Sequence, residues 1–169
     1  FFRNFAVIGT LNSEGAHVGG LGGFFRSLGA LIRNLEADQV YVVFDGIGGS
    51  NNRKNLIPEY KSGRMNSRIT NWEAFDSVED ESNSQIDQIT RITQYLKTLP
   101  VKTVQIDKVE ADDVIAYVGE KLSHDKNNKI FIVSSDKDYL QLAKENLIIY
   151  RPIEKKYYTP STVEEQFGC

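Results

Sequence analysis

The chain has 169 residues, 40% hydrophobic and 25% charged, enough for one globular domain with a sizeable core, and no apolar run approaches the roughly 20 residues of a membrane helix. Its single cysteine, Cys169, excludes an internal disulfide framework and a cysteine-based zinc site, and it suits a reducing cytoplasm. The net charge of −3 is unusual for a nucleic-acid binder, but between Arg53 and Arg68 the bases Arg53, Lys54, Lys61, Arg64 and Arg68 face only Glu59, a local basic strip suited to phosphate.

Along the chain, the opening Phe1-Phe2-Arg3-Asn4-Phe5 is no secretory leader, and Phe1 reads as an internal residue of a longer protein. Phe2 to Ile8 reads as a short helix, with Arg3 on its exposed side. Gly19 to Gly23 opens an amphipathic helix through Phe24, Leu28, Leu31, Ile32 and Leu35, its glycines allowing close packing or backbone approach to a ligand. Val40 to Phe44 is a continuous apolar run, as in a buried parallel strand, stopping at the turn signal Asp45-Gly46. Residues 46–70 are polar, glycine-containing and basic, and read as a loop or mobile excursion. Asp76 to Ser84 is acidic and read as exposed or mobile. It leads into a long helix with Ile86, Ile89, Thr93, Leu96 and Leu99 on one stripe, ending before Pro100. Trp72 and Phe75 are expected to anchor that helix, and His17 and His124, polar-flanked, to lie on the surface.

A second strand is predicted over Val101 to Ile106, then a helix over Glu110 to Leu122 with Ala111, Val114, Ile115, Val118 and Leu122 inward. After a turn at Asp125 to Asn128 come a strand at Ile130 to Val133, a short helix through Leu142 and a strand at Leu147 to Tyr150. Thr159-Pro160 marks an N-cap and first helical proline, starting a helix that runs out at Phe167. Strands separated by helices predict an α/β fold, with a mostly parallel central sheet covered by helices on both faces.

Acids recur at one kind of place in this pattern. Asp45 ends the first strand, Asp136 and Asp138 follow the third, and Glu110, Asp112 and Asp113 open the helix after the second. Ligands of open parallel sheets bind beyond the carboxyl ends of the strands, so all six carboxylates point to one edge. Singly, each has an ordinary use: a turn, an acidic first helical turn, an N-cap. Such uses do not require three separate elements to send acids to the same edge. Carboxylates so gathered repel unless cations compensate them, and an oxygen-only donor set suits Mg²⁺ or Mn²⁺. Gly46-Ile47-Gly48-Gly49 completes neither a P-loop nor a dinucleotide fingerprint, and Asp136-Lys137-Asp138-Tyr139-Leu140 lacks the glycine and terminal glutamate of an EF-hand.

Phe44-Asp45-Gly46, Val109-Glu110-Ala111-Asp112-Asp113 and Ser134-Ser135-Asp136-Lys137-Asp138 resemble, in order and spacing, the acidic motifs of the 5′ nuclease family. That family comprises the 5′→3′ exonuclease domains of DNA polymerase I, bacteriophage 5′ exonucleases and flap endonucleases. Arg53-Lys54-Asn55-Leu56-Ile57-Pro58-Glu59-Tyr60-Lys61-Ser62-Gly63-Arg64 is similar to its Arg…Pro-Glu-Tyr-Lys-x-x-Arg segment, so the resemblance spans nearly the whole chain. It implies a PIN-like catalytic domain over residues 1–158, with an arch or clamp within 46–84. Residues 159–169 would begin a truncated helix–hairpin–helix-like DNA-binding region.

It further implies a pair of divalent ions, Mg²⁺ or Mn²⁺. Asp45, Glu110 and Asp112 would hold the first and Asp136 and Asp138 the second, with Asp113 alongside. Lys61 and Arg64 would act at the scissile phosphate, Arg53, Lys54 and Arg68 would contact DNA phosphates, and Tyr60 would stack on a terminal base. The implied protein is a monomeric nuclease of a bacterial or phage-infected cytoplasm, acting on DNA 5′ ends or flaps in replication or repair and fused to or working with a DNA polymerase. The family pattern has an earlier strand carrying a further Asp, and a later region supplying another. Without them this chain is expected to bind Mg²⁺ weakly and to cleave poorly. A PIN-type ribonuclease and a non-catalytic nucleic-acid-binding module are the competing readings. The basic Pro58-Glu59-Tyr60-Lys61 segment disfavours the first, and the full set of acids, unfavourable beside phosphate, the second.

Overall fold

The structure, a computed structural model, describes residues 1–49 and 69–168. The chain divides into two compact units, Phe1–Val42 with Ile57–Val104, and Val43–Leu56 with Gln105–Cys169.

In the first unit, α1 (Phe2–Val7) packs on α2 (Gly19–Leu35). Glycines make the approach possible. A β-carbon on Gly19 would fall 1.8 Å from the Ile8 carbonyl oxygen, and one on Gly23 would fall 2.6 Å from Asn4 Cβ. Close packing, one of the two uses expected for this glycine run, is seen at Gly19 and Gly23. Gly22, on the exposed side of the same helix, has nothing within 4 Å. Gly22→Ala is therefore expected to stabilise the protein by about 0.5–1 kcal/mol through helix propensity alone. Gly19→Ala should destabilise it by about 1–3 kcal/mol through overpacking. Urea midpoints of the two variants would check the opposite signs.

The third helix, α3 (Val78–Leu96), starts at Ser77, whose hydroxyl accepts from the Asp80 amide at 3.0 Å. Glu79, Asp80 and Glu81 fill its first turn, where the helix dipole favours acids. The acidic stretch expected to be exposed or mobile is helix from Val78 on, exposed as expected at Asp76, Val78, Glu79, Asp80, Ser82 and Asn83 but buried at Glu81. Glu81 is only 3% exposed and accepts from Thr70 Oγ1 at 2.6 Å and from the Thr70 and Asn71 amides at 2.9 Å. Burial works against its ionisation, but these hydrogen bonds, with the field of His17, hold its carboxyl below the usual glutamate value. The buried positions of α3 are Glu81, Gln88, Ile92 and Leu96. Ile86 and Leu99 of the predicted stripe are exposed, and the helix ends at Leu96 in a turn before Pro100.

Two aromatic expectations are corrected here. His17 is buried: its Nε2 lies 2.7 Å from the Ile8 carbonyl oxygen, and its ring packs edge-on against Phe5 and Phe75. Phe75, expected to anchor the long helix, stacks on Phe5 of α1 and meets His17 edge-on, and Trp72 is 84% exposed.

The second unit is built on β3 (Ile130–Val133), β4 (Leu147–Arg151) and β5 (Lys156–Tyr158), with β3 parallel to β4 and β4 antiparallel to β5. Its core is Ile132, Leu147, Ile149 and Tyr158, joined by Tyr139 and Leu140 from a 3₁₀ helix (Lys137–Leu142) that links β3 to β4. The helix α4 (Ala111–Ser123) lies on β3, where Gly119 leaves room for the Ile132 side chain. The strand β5 was not predicted: Lys156-Tyr157-Tyr158 buries only its last side chain and so shows no apolar run. Thr159 caps the last helix, α5 (Pro160–Phe167), through a reciprocal capping box with Thr162, as Thr159-Pro160 predicted.

Two further strands, β1 (Tyr41–Phe44) and β2 (Lys102–Gln105), form a two-stranded sheet. The four strands predicted all form, and the fold is α/β. No helix among the described residues is long and apolar enough to cross a membrane.

Candidate metal centre

The predicted acids are carried by three segments of the second unit. Asp45 follows β1. There the chain runs so close to residues 106–110 that only glycine fits next: a β-carbon on Gly46 would lie 1.8 Å from the Ile106 carbonyl oxygen. The Gly46 amide donates to the Val109 carbonyl at 3.0 Å, and Gln105 Nε2 donates to the Asp45 carbonyl at 2.9 Å. So held, Asp45 places Oδ1 2.8 Å from the Ala111 amide, the first of α4. Glu110 occupies the N-cap position without making a side-chain cap bond. Asp45, 66 residues away in sequence, satisfies that helix end in its place.

Glu110, Asp112 and Asp113 can bring one carboxylate oxygen each within 4.8 Å of one another, with Glu110 buried. The Asp113 amide also donates to Asp112 Oδ1 at 2.8 Å. On the third segment the Ser134 amide donates to the Tyr150 carbonyl at 3.1 Å, tying the end of β3 to β4. The Asp136 amide donates to Ser134 Oγ at 3.1 Å, and Asp136 Oδ1 caps the 3₁₀ helix by accepting from the Asp138 amide at 3.0 Å.

One phenol senses most of these charges together. Tyr139 is buried, and its hydroxyl is pushed up to about 12, first by burial and then by the fields of Asp112, Asp136, Asp45 and Asp113. Four carboxylates from three segments thus act on one group. Asp45, Asp136 and Asp138 are not part of the 4.8 Å cluster. Arg53, Lys54, Tyr60, Lys61, Arg64 and Arg68 lie outside the described residues.

The donor set fits a hard divalent cation. Ligand atoms facing each other across Mg²⁺ stand about 4.2 Å apart, given bonds of about 2.1 Å. Neighbouring ligand atoms stand about 3.0 Å apart, so three oxygens within 4.8 Å of one another are within reach of one ion after side-chain rotations that bring them closer by up to about 1.8 Å. All donors are carboxylate oxygens, the preference of Mg²⁺, Mn²⁺ or Ca²⁺ over softer metals.

Two residues near these acids were not foreseen. Tyr139 reads as an ordinary apolar position of a short helix. Arg151, which bonds the Ser135 carbonyl from the end of β4, sits in no motif.

The family described as 5′-3′ exonuclease, N-terminal resolvase-like domain, matches residues 1–168. A 5′-3′ exonuclease of Aquifex aeolicus is 32% identical over 168 residues, 99% of this chain and 53% of that protein. A DNA polymerase I of Streptococcus pneumoniae (strain ATCC BAA-255 / R6) is 28% identical over 163 residues, 93% of this chain but 16% of that protein. Among solved structures, the bacteriophage T5 flap endonuclease, in a pseudo-enzyme–product complex with DNA and metal ions, superposes with a TM-score of 0.72. The match has 17% identity and covers 98% of this chain and 58% of that one. It bears on the fold, which is that of the 5′ nucleases. The chain spans about half the length of the 5′-3′ exonuclease from Aquifex aeolicus.

Proposed function

Given that the chain belongs to the 5′-3′ exonuclease family, as its N-terminal resolvase-like domain, we propose that it forms the catalytic part of a metal-dependent 5′→3′ exonuclease or flap endonuclease. The protein would hydrolyse DNA phosphodiester bonds at 5′ ends or flaps in replication or repair. The supporting observation is that the Glu110, Asp112 and Asp113 carboxylates lie within 4.8 Å of one another at the start of α4, where Asp45 from β1 is seated on the Ala111 amide at 2.8 Å.

Asp45, Glu110 and Asp112 would hold one Mg²⁺ or Mn²⁺ ion and Asp136 and Asp138 a second, with Asp113 adjoining. Such ions supply Lewis-acid stabilisation of phosphate charge and a nucleophile at neutral pH. The chain's own part is to hold the acids at fixed places. Asp45 is seated on the Ala111 amide and Asp136 on the Asp138 amide, so each has one oxygen oriented by the backbone. By resemblance, Lys61 and Arg64 neutralise charge growing on the scissile phosphate. Arg53, Lys54 and Arg68 hold flanking phosphates and Tyr60 stacks on the terminal base. Residues 1–158 would form the catalytic domain and 159–169 the start of a duplex-gripping region. The protein would act as a cytoplasmic monomer, alone or joined to a polymerase.

The test compares full-length protein on 5′-flap DNA and on single-stranded RNA, with Mg²⁺, with Mn²⁺ and with chelator. Flap DNA should be cleaved at least about tenfold faster, with all cleavage lost in chelator. Preference for RNA would favour the PIN-type ribonuclease, and DNA binding without cleavage the non-catalytic module.

A further inference from the structure

We propose that Arg151 is a positioning residue for the metal centre, bracing the Ser134-Ser135-Asp136 turn from behind and so setting the Asp136 and Asp138 carboxylates. This rests on the reading given under Proposed function. Arg151 ends β4 and is 9% exposed. Its Nη2 donates to the Ser135 carbonyl at 2.9 Å, one residue before Asp136. Its Nη1 pairs with Glu154 Oε1, and Glu154 Oε2 accepts from the Tyr158 hydroxyl at 2.9 Å. The guanidinium carbon lies 6.0 Å from the centre of the Tyr158 ring.

A guanidinium here is costly to the fold. A charge is taken out of water, and Nε is buried with no hydrogen-bond partner. An apolar side chain would fill the end of a buried strand without either cost. What an apolar side chain lacks is a donor aimed at the turn. The Ser134 amide already ties the start of that turn to the Tyr150 carbonyl, and Arg151 adds the second tie at Ser135. Between them the backbone entering Asp136 is fixed, and Asp136 then orders Asp138 through its cap bond. Glu154 and Tyr158 in turn hold the guanidinium at one angle. This is the support that a carboxylate ligand needs to meet an ion without reorganising. Lysine cannot serve both partners, because it lacks the fork that reaches Ser135 and Glu154 together.

The test measures Mn²⁺ affinity of full-length protein by the electron-paramagnetic signal of free Mn²⁺, beside melting temperature in chelator. Its variants are Arg151→Met, Arg151→Lys, Glu154→Gln and, as reference, Asp136→Asn. Arg151→Met should weaken Mn²⁺ binding by about tenfold and raise the Mg²⁺ concentration for half-maximal cleavage in proportion. Arg151→Lys should recover part of the loss. A lowered melting temperature with Mn²⁺ affinity unchanged in Arg151→Met, while Asp136→Asn loses affinity, would reduce Arg151 to a brace of the β4–β5 hairpin and overturn the proposal. If Arg151→Met does not fold, Glu154→Gln decides: a loss of about threefold in affinity supports the brace, and no change overturns it. Unchanged Mn²⁺ affinity in Asp136→Asn would instead overturn the metal-centre reading itself.

Discussion

Asp136→Asn in full-length protein is expected to abolish cleavage of 5′-flap DNA while leaving the fold as stable as before or slightly more so. The two halves of this result separate the observed cap role of Asp136 from its proposed role as an ion ligand. As an N-cap, Asp136 needs only an acceptor oxygen for the Asp138 amide, 3.0 Å away, and asparagine caps as well as aspartate. In the ion-binding role proposed for it, it needs its negative charge. Losing a ligand forfeits several kcal/mol of transition-state stabilisation, a rate loss on the order of a thousandfold or more. The same charge acts on Tyr139 together with Asp45, Asp112 and Asp113, so removing it relieves repulsion among like charges, and the melting temperature should hold or rise. Asp136→Ala also loses the cap and should cost about 1 kcal/mol of stability besides its activity. Single-turnover cleavage and thermal melting of both variants would check this. Wild-type cleavage by Asp136→Asn would leave Asp136 as a cap alone.

What could be read from the sequence is what local pattern encodes. Apolar runs placed β1, β3 and β4, helical spacing placed α2 and α4, and Thr159-Pro160 placed the start of α5. The acids stand out because their pattern depends on chain order: strand, then acid, at successive strand ends. Features that depend on partners distant in sequence were not legible. His17 has polar neighbours in sequence, yet Phe5 and Phe75 enclose its ring. Glu81 sits in an acidic run that reads as solvated, and its burial depends on donors at Thr70 and Asn71 that no periodicity announces. Lys156-Tyr157-Tyr158 is a strand because β4 offers it an edge, not because of its own composition. Arg151 follows the same rule: its role depends on the Ser135 carbonyl, 16 residues earlier.

Gly46 joins the local signal to the distant one, and Gly46→Ala should show it. Asp45-Gly46 reads as a turn, but the turn is only half of what the glycine provides. The added methyl would meet the Ile106 carbonyl oxygen at 1.8 Å, the Ile106 carbonyl carbon at 2.6 Å and the Val109 oxygen at 2.9 Å. All three are backbone atoms, so no side-chain rotation relieves the clash. The chain at 45–49 must withdraw from 106–110, which breaks the bond from the Gly46 amide to Val109 and lifts Asp45 Oδ1 off the Ala111 amide. The expected cost is about 2–4 kcal/mol of stability, among the larger effects of a single added methyl. Mn²⁺ affinity should fall by about tenfold or more as well, because the carboxylate that reaches α4 from β1 loses its seat. The same chemical change at Gly22 meets empty space and should stabilise, so the pair isolates contact from composition. Urea unfolding and Mn²⁺ titration of Gly46→Ala give the answer. Stability within about 0.5 kcal/mol of the parent, with unchanged Mn²⁺ affinity, would mean that the close approach at Ile106 does not hold Asp45 in place.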